Sequence, residues 1–237
     1  MTPWSELRER ARRDGSAPLV TYVDLATSAR AELSAASLDN AVAKTAGLLR
    51  DELDVEPGDR IGIDLPLHWQ WAVWLGAASA VGAVLSPGGI DEDSEATLLV
   101  AAAGAEFDAP AGPETVLVSL HPLGLPEGIT PPGQVDHALA ARTHPDVFEP
   151  FDPPDPDAPL LDIDGRVLSA REAAALARDS RAARGVAPGG RLLLRDDRDM
   201  ALAPFSLLLG LPGSVLLVRH ADQGDVARVA LEERASG

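Results

Sequence analysis

Hydrophobic positions along the chain recur with helical spacing in some segments and with strand-like spacing in others. Residues 3–13 place apolar side chains such as Trp4 at helical steps between charged ones, which predicts a short surface helix. Two β-like runs, 18–23 and 30–34, then lie on either side of residues 26–29. This arrangement predicts a β-hairpin after the first helix.

The next segment has the pattern of an amphipathic helix followed by a buried strand. Apolar residues recur at steps of three and four from Leu38 to Leu53, and Ser34 and Ser37 are the two candidate N-caps. Pro57-Gly58 ends this helix, because proline cannot continue it and glycine allows the turn. Residues 60–65 then read as a buried strand, so that a β–α–β unit begins here.

The same reasoning gives the remaining elements of an α/β protein. They are an apolar helix at 68–81, strands at 82–87, 97–100, 116–120 and 159–163, a helix at 170–183, a strand at 191–194, a helix at 200–209, a strand at 214–218 and a helix at 225–235. Strands that alternate with helices in this way predict sheets covered by helices.

The clearest linker in the chain is the acidic, proline-rich segment 148–158. Its prolines stiffen the backbone and its acidic side chains keep it solvated. We therefore expect a first α/β subdomain at 1–147 and a second at 159–237.

The two predicted subdomains also resemble each other in sequence. A shift of 131 residues superposes Val55, Pro57, Gly58 and Arg60 on Val186, Pro188, Gly189 and Arg191, and Ala72, Gly82, Val84 and Leu85 on Ala203, Gly213, Val215 and Leu216. Chance matches are common in helices rich in alanine and leucine. The shared Pro-Gly-x-Arg turn with an ungapped downstream strand nevertheless favours a repeated helix–strand–helix–strand unit.

Composition and charge exclude several classes of function. The 237 residues are 46% hydrophobic, which predicts a folded chain, and their formal charge of −17 would repel nucleic acids and anionic lipid headgroups. The chain has no cysteine, which is compatible with a reducing cytoplasm. The charged N-terminus lacks a signal-peptide core, and the most apolar stretch, 72–87, is shorter than the ~20 residues needed to cross a bilayer. We expect a cytoplasmic protein that binds neither nucleic acid nor membrane.

No metal site is predicted from the ligand-type residues. The histidines share no short ligand spacing apart from a loose pair at 137 and 144, and they are His68, His121, His137, His144 and His220. The pairs Asp162/Asp164 and Asp155/Asp157 could hold a hard cation, but a strand end and a solvated linker account for them better.

Glycine pairs and tryptophans allow equally plain interpretations. Gly88-Gly89 and Gly189-Gly190 are predicted turns, because neither has the spacing of a phosphate-binding loop. Trp71 and Trp74 share one face of the helix at 68–81, where core packing is the expectation and a ligand platform or a partner surface the alternative. No Gly-x-Ser-x-Gly elbow marks a serine nucleophile.

Several segments together resemble the opening of the adenylate-forming (acyl-CoA synthetase-like) superfamily. In the first half they are Glu32-Leu33-Ser34 before a helix, Val55-Glu56-Pro57-Gly58-Asp59-Arg60-Ile61-Gly62-Ile63, and Gly82-Ala83-Val84-Leu85-Ser86-Pro87. In the second half, 186–194 and 213–218 are similar to the next part of the same fold. The resemblance covers nearly the whole chain but only the first half of the family's length. It implies two similar sheet-and-helix subdomains, as in the N-terminal region of those enzymes.

The chain departs from this family where the family's chemistry is done. Members carry a Ser/Thr/Gly-rich phosphate loop ending in Pro-Lys-Gly, whereas residues 160–169 here read Leu-Leu-Asp-Ile-Asp-Gly-Arg-Val-Leu-Ser. The family's apolar Pro-x-x-His segment corresponds to the charged residues 195–200, and the only lysine is Lys44. The sequence also ends at Gly237, ahead of the family's later motifs. No residue is therefore carried over as catalytic or cofactor-binding, and no cofactor is predicted.

The leading interpretation is a non-catalytic, degenerate acyl-CoA synthetase-like protein that acts as a binding or regulatory module. Two alternatives stay open. The chain could be half of a split adenylate-forming ligase that a partner chain completes, or a structural protein that dimerises through a surface such as the Trp71/Trp74 helix. A protein partner or a homodimer is thus expected, and its identity is not readable from the residues.

Overall fold

The protein is described by a computed structural model that covers residues 1–88, 96–104, 114–196 and 213–236. Its helices are α1 (Pro3–Asp14), α2 (Ala35–Asp51), α3 (Gln70–Val81), the short α4 (His137–Ala140) with a 3-10 turn at Ala141–Thr143, α5 (Ala170–Ala183) and α6 (Gln223–Glu232). Its strands are β1 (Pro18–Asp24), β2 (Ala29–Ser34), β3 (Arg60–Asp64), β4 (Val84–Pro87), β5 (Leu98–Ala102), β6 (Glu114–Val118), β7 (Gln134–Asp136), β8 (Pro159–Ile163), β9 (Arg166–Ser169), β10 (Arg191–Arg195), β11 (Ser214–Arg219) and β12 (Ala235–Ser236).

The strands form two mostly parallel sheets. One sheet has five strands in the order β12-β10-β11-β1-β2, and the other has seven in the order β7-β6-β5-β3-β4-β8-β9. Among the described strands, only the two hairpins, β1–β2 and β8–β9, are antiparallel. The α/β class predicted from the sequence is confirmed.

Local sequence signals place the helices where the periodicity predicts them. The side chains of Thr2, Ser34 and Ser169 each accept a backbone N–H bond in the first turn of α1, α2 and α5, which resolves the choice between Ser34 and Ser37. The last helix, predicted at 225–235, runs instead from Gln223 to Glu232. The Asp222 side chain caps its first turn, and strand β12 begins at Ala235. The predicted helix at 200–209 lies outside the described residues.

The sheets do not divide the chain at the predicted linker. Strand β1 pairs in parallel with β11 over residues 20–24, and β8, which follows the linker, pairs in parallel with β4. Each sheet therefore contains strands from both sides of 148–158. The predicted subdomains 1–147 and 159–237 are not two separate sheets, because each hairpin adds to the strands of the other half.

Most buried apolar side chains form one continuous core that includes residues from both halves. The inward face of the five-stranded sheet contributes Leu192, Leu194, Val215 and Leu217 to it, beside the side chains of α1, α2 and α3. The opposite face of that sheet packs Leu216 and Val218 against Val229 of α6. A sheet that is covered on both faces explains why β10 and β11 read as continuous apolar runs.

Trp71 and Trp74 belong to this core. Their exposed fractions are 2% and 0%, and the Trp71 indole N–H donates to the Leu65 carbonyl at 3.0 Å. The alternative in which these two side chains form a dimer surface is wrong, because neither reaches the solvent. Among the described residues, no helix is both long and apolar enough to span a membrane.

The exchanged hairpins lead to a prediction about the linker. A protease site can be inserted after Phe151, whose side chain is 88% exposed. After cleavage there, we expect the two fragments to stay together. The parallel pairs β1–β11 and β4–β8 and the shared core would have to be broken to separate them. Native gel filtration should give one peak that a denaturing gel resolves into two bands. Two native peaks would contradict the prediction.

Candidate functional site

The hairpin β8–β9 occupies the place where the resemblance puts the family's phosphate loop. Ile163 pairs with Arg166, so only Asp164 and Gly165 connect the two strands. Their φ angles of +51° and +79° fit the tight two-residue turn that Asp-Gly favours. The two strands are thus joined by a minimal turn, which offers no run of backbone amides that could surround a triphosphate.

The charges at this hairpin are also engaged within the protein. The Asp162 carboxylate of β8 is mostly buried and forms an ion pair with the Arg60 guanidinium of β3, on the far side of β4. The Lys44 ammonium lies 2.7 Å from an Asp146 carboxylate oxygen and donates to the His144 carbonyl at 3.2 Å. Lys44 is the only lysine of the chain, and its ammonium therefore binds the segment 144–146 beside α2.

A second polar site lies at the carboxyl ends of β1, β10 and β11. We call it the carboxyl-end cluster, and its members are Tyr22, Asp24, His68, Asp196, Arg219 and His220. His220 Nδ1 donates to Asp24 Oδ1 at 2.8 Å, and the Tyr22 hydroxyl donates to Asp24 Oδ2 at 3.4 Å. Ligands of α/β proteins bind preferentially at this end of parallel strands.

Burial governs the protonation states in the carboxyl-end cluster. Burial, reinforced by the Arg219 charge, lowers the pKa of His68 to about 3, and its Nδ1 accepts the Gln70 backbone N–H at 3.3 Å. Burial raises the pKa of Tyr22. Burial also opposes ionisation of Asp24, but the bonds from His220 and the Ala26 N–H outweigh it and lower the pKa of Asp24. At neutral pH the site therefore combines a neutral imidazole, a neutral phenol and a carboxylate.

The carboxyl-end cluster could not be found from sequence spacing. Tyr22 and His68 are far apart in the chain, yet their rings meet at 4.4 Å between centroids. Asp24, Asp196 and Arg219 each follow or end an apolar run, which is a weak signal for a strand end. That signal is usable only once the neighbouring strands are known.

The other residues considered as metal ligands do not come together. His137 bonds to the Thr45 hydroxyl at 2.9 Å, and His144 Nε2 lies 3.0 Å from a Glu52 oxygen. Asp157 pairs with Arg171, and Asp155 accepts the Asp157 backbone N–H. In the part of the chain that the structure describes, no three histidine or carboxylate side chains are arranged to hold a metal ion.

An open groove lies beside the seven-stranded sheet, at the amino ends of β3, β4 and β8. It has a volume of about 800 Å³ and is bounded by the turn 54–58, the end of α3 at 80–82, and the linker segment 148–159. We call it the amino-end groove. The predicted linker is thus one wall of a cavity rather than a free connection.

Comparison with known proteins now gives the relationship of this fold. The profile of the AMP-binding enzyme family matches residues 7–107. The structure is similar to an acyl-CoA synthetase from Brucella canis, with a TM-score of 0.78 at 17% identity, covering 99% of this chain and 46% of that one. It is also similar to an acetoacetyl-CoA synthetase from Streptomyces lividans, with a TM-score of 0.75 at 22% identity, covering 99% of this chain and 41% of that one.

These similarities define the class of fold as the N-terminal part of an adenylate-forming enzyme, and the resemblance seen in the sequence is confirmed. A Mycobacterium tuberculosis protein named a TIGR03089 family protein is 38% identical over 196 residues, which is 77% of this chain and 73% of that relative. The chain belongs to the family of this mycobacterial protein. It spans less than half the length of the two solved synthetases.

Proposed function

We propose that the protein is a non-catalytic binding or regulatory module that keeps the adenylate-forming scaffold without its ATP chemistry. The observation that carries the proposal is the two-residue turn at Asp164-Gly165 in place of the phosphate loop. The exposed Asp164 carboxylate in that turn adds negative charge where a triphosphate would have to sit. A pseudoenzyme role follows from these two features together.

An internal repeat and a cytoplasmic location belong to the same proposal. Both hairpins shift register after their first pair, Pro18 with Ser34 and Pro159 with Ser169, and both are followed by a serine-capped helix. The register of β3–β4 differs from that of β10–β11 by one residue under the 131-residue shift, as expected of diverged copies. The absence of cysteine supports a reducing compartment.

We expect isothermal titration with millimolar ATP and magnesium to give no saturable heat, since no amide cradle receives the phosphates. Pyrophosphate exchange with a panel of fatty acids should likewise be absent, and a full-length acyl-CoA synthetase serves as the positive control. A variant carrying Asp162→Asn and Asp164→Asn tests whether charge alone excludes ATP, and we expect it to remain inactive. Saturable ATP binding or adenylate formation by the isolated chain would contradict the proposal.

The split-ligase alternative predicts a different result in the same assay. Adenylate formation would then appear only after addition of a partner that supplies the later motifs of the family. Because the hairpin turn belongs to this chain, such activity would require the partner to bring its own phosphate-binding loop. Exchange activity in the mixture but in neither component alone would favour this alternative.

A further inference from the structure

We propose that the amino-end groove binds a basic, proline-containing segment of a partner protein. The groove lies at the amino ends of β3, β4 and β8, whereas the hairpin turn that replaces the phosphate loop lies at the carboxyl end of β8. The groove and the hairpin turn thus lie at opposite ends of strand β8. The inference names a partner for the binding role proposed above, but its test does not depend on whether ATP binds.

The walls of the groove present aromatic and proline side chains. The linker wall contains two phenylalanines and four prolines, and the opposite wall contains Val55, Pro57 and Val81. Phe148 is buried and anchors the linker, whereas Phe151 is 88% exposed. The exposed ring of Phe151 adds apolar surface to this proline-lined wall.

Arg50 stiffens this aromatic surface without adding free positive charge. Its guanidinium lies 4.5 Å from the centre of the Phe148 ring and 4.8 Å from that of Phe151. The same guanidinium contacts both carboxylate oxygens of Asp51, at 2.7 and 3.1 Å, and donates to the Glu149 carbonyl at 2.8 Å. Its charge is therefore balanced within the protein, while the ring of Phe151 is held beside the groove.

The rim of the groove is negatively charged. Four carboxylates border it, those of Asp54, Glu56, Asp152 and Asp155. Within the described residues, none of the four forms an ion pair with a basic side chain. An apolar floor with an acidic rim complements a ligand that alternates apolar and cationic groups.

A polyproline II segment fits this surface better than a helix or a strand. Such segments bind in shallow grooves lined by aromatic and proline side chains, because their extended backbone is already ordered before binding. The acidic rim then selects arginine or lysine between the prolines, and the net charge of −17 attracts such segments at long range. A second copy of this chain is disfavoured, because its own proline-rich segment 148–158 is acidic.

The test uses a fluorescein-labelled peptide of about ten residues that alternates arginine with Pro-Leu pairs, titrated with the intact protein and followed by anisotropy. We expect saturable binding that weakens with added salt, and no binding of the peptide with glutamate in place of arginine. Phe151→Ala should weaken binding about tenfold, as expected for an aromatic anchor. Asp152→Asn combined with Asp155→Asn should weaken it several-fold.

Leu231→Ala is the matched control, because Leu231 on α6 is 81% exposed and lies outside the groove. Both Phe151 and Leu231 are at the surface, so that neither replacement threatens folding. The proposal is overturned if no basic proline peptide binds, if the acidic peptide binds equally well, or if Phe151→Ala and Leu231→Ala have the same effect. Binding lost only in the groove variants supports it.

Discussion

Acidification from about pH 7.5 to about pH 4.5 is expected to remove several kcal/mol from the free energy of unfolding. The cause is a pair of buried histidines. Burial lowers the pKa of His137 to about 4, and burial with the Arg219 charge lowers that of His68 to about 3. Both imidazoles are thus held neutral in the folded protein at a pH where they would ionise in the unfolded chain.

The sign and size of the effect follow from proton linkage. Above the unfolded pKa of 6.5 neither state binds the protons, so that the full stability is present. As the pH falls from 6.5 towards 4, the unfolded state takes up protons that the folded state excludes, and each histidine costs on the order of 1.4 kcal/mol per pH unit. Asp24, with its lowered pKa, loses its contribution only below this window.

Urea unfolding at several pH values measures this dependence. His137→Gln keeps a hydrogen-bonding amide near the Thr45 hydroxyl but cannot ionise, so the slope of stability against pH should fall by about half. His121→Gln is the control, because His121 is only partly buried and lies in a loop. An unchanged slope in His137→Gln would contradict the assignment.

Trp74→Ala is expected to destabilise the protein by about 3–5 kcal/mol, the range for removing a large aromatic side chain from a core. The side chain is fully buried, and its ring lies 5.1 Å from that of His137. Because α1 and α2 pack against α3 and hold their positions, the lost volume remains as a cavity. The melting temperature should fall by roughly 10 °C for a chain of this size.

Thermal and urea unfolding of three variants separate this effect from others. Trp74→Phe keeps most of the ring and should cost clearly less, and the exposed Leu231→Ala should change stability by less than about 0.5 kcal/mol. A Trp74→Ala protein as stable as the wild type would show that the side chain is not in the core. Sedimentation of Trp74→Phe should be unchanged, since a buried ring makes no dimer contact.

The helices and turns of this protein are predictable because their signals are local. Ser34 and Ser169 cap the helices that follow them, and Pro57-Gly58 and Pro188-Gly189 each precede a strand at the predicted place. Gly58 and Gly189 have φ angles of +94° and +80°, which only glycine adopts without strain. The Asp164-Gly165 turn is equally local, because Asp-Gly favours a two-residue hairpin turn.

The pairing of strands could not be predicted in the same way. The first hairpin and the strand predicted at 159–163 each look from the sequence like the first part of their own half, yet β1 pairs with β11 and β8 pairs with β4. The choice depends on which buried faces fit together across more than a hundred residues of chain. Hydrophobic periodicity shows only that a strand is buried, since the apolar effect has no direction.

The amino-acid sequence by itself determined most of the helices and strands and the resemblance to adenylate-forming enzymes, because each depends on residues close together in the chain. Only the tertiary structure decided that each sheet combines strands from both halves and that Trp71 and Trp74 lie in the core. It also decided that the rings of Tyr22 and His68 are in contact. It also showed that the proline-rich segment 148–158 forms one wall of the amino-end groove. The physical reason is that long-range packing selects strand partners, and strand partners decide which distant side chains share a site.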